Sequence, residues 1–270
     1  MTRSNANSRL VASGLAKTYQ RKEHPPVRVL DHCSFEIEPG KLTVVMGSSG
    51  CGKSTLAYIL AGYIKPDAGT VTLNGNPIAG PGPDRVLVFQ ETALWPWMSV
   101  IENVMFGPVA RGDQTTAQAR QNAVQLLKRF GLIEFRDKYP GQLSGGMKRR
   151  AEIAQALMNQ PQLMILDEPF RGLDEMTREL MQEYYMRLFE ETALTTLFIT
   201  SELEEAIFLA DRILIMGESP GRIVSSIHVD LPHPRQFEIL DSREYLDIKR
   251  TAMDTLYSLA HDSETPGYGT

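Results

Sequence analysis

Short, mostly apolar runs separated by longer helical stretches organise most of this chain. The runs 42–46, 86–89, 163–166, 195–200 and 213–216 are rich in Val, Ile, Leu and Phe, as expected of strands buried on both faces. Apolar residues recur at helical spacing over 53–61, 99–106, 115–130, 145–158, 174–191 and 202–210. Strands alternating with helices predict an α/β fold with a mostly parallel core sheet. The stretch 91–160 interrupts the alternation with helices alone, so it reads as a helical subdomain inserted into the sheet. Ahead of it, segments over 10–43 broken by "HPP" and "EPG" predict an antiparallel β subdomain, and "TVTLNGNPI" predicts a hairpin turning at Asn74-Gly75. Past Gly217, "SPGRIVSSIHVDLPHPR" reads as a strand pair and linker, and 235–260 as a terminal amphipathic helix. The expected organisation is a flexible tail over 1–8, one domain over 9–230, and a C-terminal linker and helix over 231–270.

Composition narrows the classes. The chain has 270 residues, 42% hydrophobic and 23% charged, typical of a globular protein with a substantial core. A net charge of −5 argues against a general nucleic-acid binder. The two cysteines, Cys33 and Cys51, have neither metal-ligand nor disulfide-framework spacing, which makes a reducing compartment the default. The polar start "MTRSNANSRL" lacks the apolar core of a signal peptide, and no run of about 18 apolar residues predicts a membrane span.

Three stretches carry chemistry. Gly47-Ser48-Ser49-Gly50-Cys51-Gly52-Lys53-Ser54-Thr55 matches G-x-x-x-x-G-K-[ST] between a predicted strand and a predicted helix. Its glycines let backbone amides face a phosphate chain at the positive end of a helix, with Lys53 for the β- and γ-phosphates and Ser54 for Mg²⁺. The strand 163–166 delivers Asp167 and Glu168 at its C-terminal end. Beside a phosphate loop, Asp167 suits the metal shell and Glu168 a general base; taken alone, the pair reads as a helix cap. In Leu143-Ser144-Gly145-Gly146-Met147, a serine before a Gly-Gly helix start offers a second anion site. Cys51 inside the loop reads as a variable position rather than a redox switch.

This order of motifs resembles the ATP-binding cassette family over about residues 10–216. The resemblance implies a P-loop ATPase using ATP and Mg²⁺. It places Tyr19 against adenine, with a core tyrosine as the alternative. It places Gln90 near Mg²⁺ and the attacking water, with a solvated strand end as the alternative. Gly172-Leu173-Asp174 matches the loop that crosses to a partner subunit. Two copies would then pack head to tail as a homodimer, Ser144, Gly145 and Gly146 of one closing over ATP held by Lys53 of the other. Within the family, "DEPFRGLD", "PGRIV" and the stretch from Gly80 to Pro108 are similar to bacterial nitrate, sulfonate and taurine-type importers. That implies membrane permease subunits, a separate solute-binding protein, and a cytoplasmic position on the inner face of the membrane. Trp95, Pro96 and Trp97 fall where the family accepts a helix of the membrane subunit, burial under the helical insertion being the alternative. A soluble cassette switch acting on DNA or ribosomes is the competing reading. It is disfavoured by the acidic balance and by the lack of an inserted coiled coil or a second cassette.

Several positions depart from the family pattern. Arg149 and Gln155 stand where Gln and Arg are usual, and Arg171 where a small residue is common. Ser201 stands where the family presents a histidine at the γ-phosphate. Locally, Ser201 and Glu204 form a predicted capping box at the start of a helix. The expectation is a working but slower ATPase in which the serine caps its helix and relays a water, or a heterodimer whose other subunit supplies the histidine.

Overall fold

A computed structural model describes residues 8–263. The phosphate-loop motif follows a central strand of one sheet, and a second sheet covers that loop's helix. Strands β1 (Leu10–Arg21), β2 (His24–Ile37), β4 (Ala68–Leu73) and β5 (Asn76–Pro77) form a four-stranded antiparallel sheet in the order β2-β1-β4-β5. Strands β3 (Leu42–Met46), β6 (Arg85–Val88), β7 (Leu163–Asp167), β8 (Thr195–Thr200), β9 (Arg212–Met216) and β10 (Ile223–His228) form the other, ordered β10-β9-β3-β8-β7-β6. It is parallel apart from β10, which runs antiparallel to β9.

The period-2 geometry of a strand explains why these runs are apolar throughout. Val44, Met46, Leu166 and Phe198 face one core, while Val45, Ile165, Leu197 and Ile199 face another. The second core lies between the two sheets and holds Leu56, Ala57 and Leu60 of α1 (Lys53–Ala61). The first is roofed by α2 (Val100–Ala110), α3 (Thr116–Arg129), α4 (Gly145–Met158), α5 (Glu175–Thr192) and α6 (Leu203–Leu209). Helices α2 to α4 connect β6 to β7, where the helical insertion is expected. Capping boxes start α2 at Ser99–Glu102 and α3 at Thr115–Gln118.

Four expectations are corrected. "HPP" does not break a strand: it opens β2, whose Val27 pairs with Tyr19, and the prolines are tolerated because β2 is an edge strand. The segment after Gly217 contributes one strand, not two, because β10 pairs back onto β9. The terminal helix is shorter and later than 235–260: a 3₁₀ turn at Phe237–Asp241 precedes α7 (Arg243–Ser263), and Ser242 Oγ accepts from the Tyr245 amide at 3.2 Å to start it. Ser8, assigned to the tail, is buried, whereas the other tail residues, 1–7, lie outside the described residues.

The segment after residue 230 packs closely on the core. Leu231 and Tyr245 join the cluster under α6, and Phe237 stacks on Phe208 with ring centroids 4.7 Å apart. Arg235 is buried and donates to the carbonyls of Phe208 (3.0 Å) and Ala210 (2.6 Å), satisfying the C-terminal end of α6.

Candidate functional site

The loop 47–52 is shaped by close approach and positive φ. A Cβ on Gly47 would sit 2.7 Å from the Met216 carbonyl and 2.9 Å from Cys51 Sγ. Gly50 and Gly52 have φ of 83° and 108°, which L side chains rarely adopt. Gly52 caps α1 without a side-chain acceptor, so the amides of Lys53, Ser54 and Thr55 open the helix with no side chain satisfying them. Ser48 and Ser49 are exposed on the loop, and the Cys51 amide closes it onto the Ser48 carbonyl at 3.4 Å. The Cys51 side chain points inward and is buried, and burial pushes its thiol above the usual range, opposite to the shift a reactive thiolate needs.

Lys53 is 5% exposed and folds back into the loop, donating to the carbonyls of Gly47 (2.8 Å) and Ser48 (2.9 Å). Its ammonium also lies 3.7 Å from Glu168 Oε1. These backbone carbonyls hold the ammonium in place. Asp167, at the end of β7, is 1% exposed, and its Oδ1 has no hydrogen-bond partner. Burial raises its carboxyl above the usual range, against the Ser54 hydroxyl that hydrogen-bonds it and the Lys53 charge. A buried carboxylate oxygen without a partner, beside a serine hydroxyl, matches the hard-oxygen chemistry that Mg²⁺ takes. The residues therefore fit the metal the motif implies.

Glu168 turns the chain sharply, with φ of 43° and its amide donating to Ile199 of β8 at 2.9 Å. A non-glycine residue in this region marks a conformation the surroundings impose. Its Oε2 accepts from Arg171 at 2.7 Å. Lys53, Asp167 and Glu168 thus share one corner at the C-terminal ends of β3 and β7, and β8 lies between those strands.

The remaining predicted residues lie around this corner or away from it. Tyr19 is half-buried in β1, its hydroxyl 3.5 Å from Thr55 Oγ1, and Lys17 Nζ sits 5.8 Å from its ring centroid. Gln90 is exposed just past β6. Ser144 caps α4, its Oγ accepting from the Met147 amide at 3.3 Å. A Cβ on Gly145 would meet Leu173 at 3.1 Å, and one on Gly146 would meet Thr177 at 2.9 Å. Among the described residues no hydrogen bond or ion pair joins 143–147 to the loop 47–55. Asp174 caps α5, accepting from the Thr177 amide (3.0 Å) and hydroxyl (2.7 Å), and that hydroxyl holds its carboxyl below the usual range.

Ser201 is exposed at the end of β8, and the predicted capping box is not formed. The helix starts one residue later, with Glu202 at its N-cap, and Thr200 Oγ1 takes the Glu202 amide at 3.0 Å. That shift puts Glu205 at the third helical position, where it is buried and accepts from Gln182 at 3.0 Å. Glu204 instead reaches Lys249 of α7.

Two arginines missing from the predicted site touch it. Arg171 grips Glu168; the i,i+3 spacing in "EPFR" is the sequence signal for that pair. Arg149 of α4 is buried, pairs with Glu152 at 2.8 Å, and donates to the carbonyls of Phe89 (2.8 Å) and Gln90 (2.6 Å). Trp95 and Trp97 are not buried under the insertion. Trp97 is 66% exposed, and Trp95 lies between Trp97 and Phe106 with centroid distances of 5.3 and 5.7 Å. Trp95 and Phe106 border a cavity of about 230 Å³ floored by β6 and α4.

Residues 30–171 match the ABC transporter family model. The nitrate import ATP-binding protein NrtD of Synechococcus elongatus is 39% identical over 93% of this chain and 92% of its own length. The bicarbonate transport ATP-binding protein CmpD of the same organism is also 39% identical, over 94% and 93%. A solved structure, the dimeric post-hydrolysis state of the ATP-binding cassette MJ0796 bound to ADP and Pi, has a TM-score of 0.72 at 28% identity. It covers 83% of this chain and 100% of its own. With a phosphate loop, an acidic strand end and a serine-glycine helix start on this fold, the chain belongs to the ABC transporter family as an ATP-hydrolysing subunit.

Proposed function

We propose that this ATPase energises import of a small anion of the nitrate, bicarbonate or sulfonate class, working as a head-to-tail dimer docked on membrane permease subunits. The observation that carries the catalytic part is the corner where Lys53, the partnerless Oδ1 of Asp167 and the imposed turn at Glu168 converge. Lys53 and the α1 amides bind the β- and γ-phosphates. Ser54, Asp167 and Gln90 would hold Mg²⁺, which would supply charge neutralisation at the phosphates. Tyr19 lies against the adenine. A water oxygen attacks the γ-phosphorus, the bond to the bridging oxygen breaks, ADP departs, and Glu168 takes the water's proton.

Gly145 packs beside Leu173 and Gly146 beside Thr177, and among the described residues no hydrogen bond joins Ser144, Gly145 or Gly146 to the loop 47–55. Their anion site is therefore free for a second copy's nucleotide, as the dimeric MJ0796 neighbour encourages. Asp174, capping α5 in the same region, sits at that junction. The nitrate and bicarbonate relatives suggest the solute class. The exposed Trp95–Trp97–Phe106 patch suggests the permease face. The test is co-expression with a neighbouring permease and solute-binding protein, then ATP hydrolysis in liposomes with each anion at the binding protein. Hydrolysis stimulated by one anion class supports import; a chain that never co-purifies with a polytopic partner overturns it.

A further inference from the structure

The Glu168 carboxylate has one cation on each oxygen, and the two are not equivalent. Lys53 stands 3.7 Å from Oε1, while Arg171 donates to Oε2 at 2.7 Å. Lys53 is the residue that moves to phosphate when nucleotide binds, on the reading above. Arg171 comes from the turn immediately after the glutamate and remains. Glu168 and Arg171 open on a cavity of about 150 Å³ that is also lined by Arg178, Thr200 and Ser201. The end of β8 brings neutral hydroxyls there, from Thr200 and the exposed Ser201 just past it, and Glu202 and Glu205 bring carboxylates.

We infer that Arg171 is a positioning residue for hydrolysis: it anchors Oε2 of Glu168 so that Oε1, once Lys53 has left it, faces the attacking water. The Glu168 side chain is 10% exposed and that of Arg171 is 57% exposed. Solvent screens the attraction, so the contribution is the fixed direction of the carboxylate more than charge energy. A planar guanidinium suits that task better than a point charge. The inference rests on Glu168 being the general base.

The experiment compares Arg171→Ala, Arg171→Lys and Glu168→Gln in the full chain. Steady-state phosphate release is measured alongside calorimetric binding of a non-hydrolysable ATP analogue with Mg²⁺. Groups that orient a reacting residue typically contribute about 10- to 100-fold. Arg171→Ala is accordingly expected to lower kcat by roughly that factor, with KM and analogue affinity held. Arg171→Lys is expected to recover part of the loss. Unchanged or raised kcat in Arg171→Ala overturns the inference. A parallel loss of analogue binding does so too, since it would mean the arginine only shapes the loop. A lysine variant as slow as alanine also overturns it. If Glu168→Gln still hydrolyses ATP, the general-base reading itself has failed; if it does not and Arg171→Ala is unaffected, only the present inference has.

Discussion

Asp167 is a carboxylate that folding works against. It is 1% exposed with one oxygen unpartnered, and burial raises its carboxyl above the usual range. The folded state then binds more protons than the unfolded one between the two pKa values, so its stability falls as pH rises through that window. Above the folded-state value the whole cost is present. Asp167→Asn is therefore expected to raise the melting temperature of the nucleotide-free protein at neutral pH, a gain that shrinks as pH falls towards the ordinary carboxyl value. It should also reduce Mg²⁺-dependent hydrolysis by at least about 100-fold, as loss of one charge-placing group does. Thermal scans across pH with phosphate release check both. Ser201 is the converse case, a residue with little structural duty. Thr200 is 2% exposed and takes the Glu202 amide, so Thr200→Val should cost about 1 kcal/mol, while Ser201→Ala should stay within about 0.5 kcal/mol. Urea titrations separate them. Steady-state hydrolysis of Ser201→His in the assembled complex then tests whether the serine limits turnover; no gain would remove that idea.

At the scale of elements, the staple between α4 and the end of β6 is the strongest feature. Arg149 and Glu152 are 6% and 4% exposed, and between them they hold the carbonyls of Phe89 and Gln90 and the amide of Ala93. The helix that carries Ser144 at its start is thereby tied to the backbone that carries Gln90. Removing one partner of a buried pair typically costs about 3–5 kcal/mol, because the other charge is left uncompensated. Arg149→Ala is expected to fall in that range by urea unfolding, and Arg149→Ala with Glu152→Ala to cost less than the sum of the singles. A purely additive cycle would show the pair to be uncoupled. The strands, the phosphate loop and the serine-glycine helix start were legible in the sequence because each is a local pattern: an apolar run, a glycine spacing, a cap. The Arg149 staple was not, since its acceptors lie about sixty residues away. The cap at α6 was misplaced by one residue because Thr200 and Ser201 are equally good hydroxyls locally. Burial of Glu205 against Gln182, a tertiary contact, decides between them. The C-terminal segment was opaque for the same reason: Arg235 and Phe237 take their meaning from α6.

For the whole molecule, the proposed function asks how hydrolysis at one corner would reach a membrane. Among the described residues no helix is long and apolar enough to cross one; on the proposed function, coupling runs through a contact surface. Trp95, Trp97 and Phe106 are all exposed, and a cluster of aromatics over a cavity is unusual on a surface facing only water. The cavity's floor includes Glu152, the acid of the staple that fixes the Gln90 backbone. A helix seated against Trp95 would therefore press on the same structure that holds Gln90 and the start of α4. Trp97 is the most exposed of the three rings, and among the described residues no hydrogen bond joins it to Arg149 or Glu152, which lets docking be separated from catalysis. Buried aromatic anchors typically contribute about 2 kcal/mol or more to an interface. Trp97→Ala is expected to leave ATP hydrolysis by the isolated chain within about twofold, as surface substitutions away from a site do. It should also deplete the chain from affinity-purified permease complexes. Glu152→Gln, acting on the staple itself, should instead leave the complex assembled while weakening the response of hydrolysis to the permease. If Trp97→Ala co-purifies as well as the unmodified chain, this patch is not the docking face, and the route from Gln90 to the membrane must leave the molecule elsewhere.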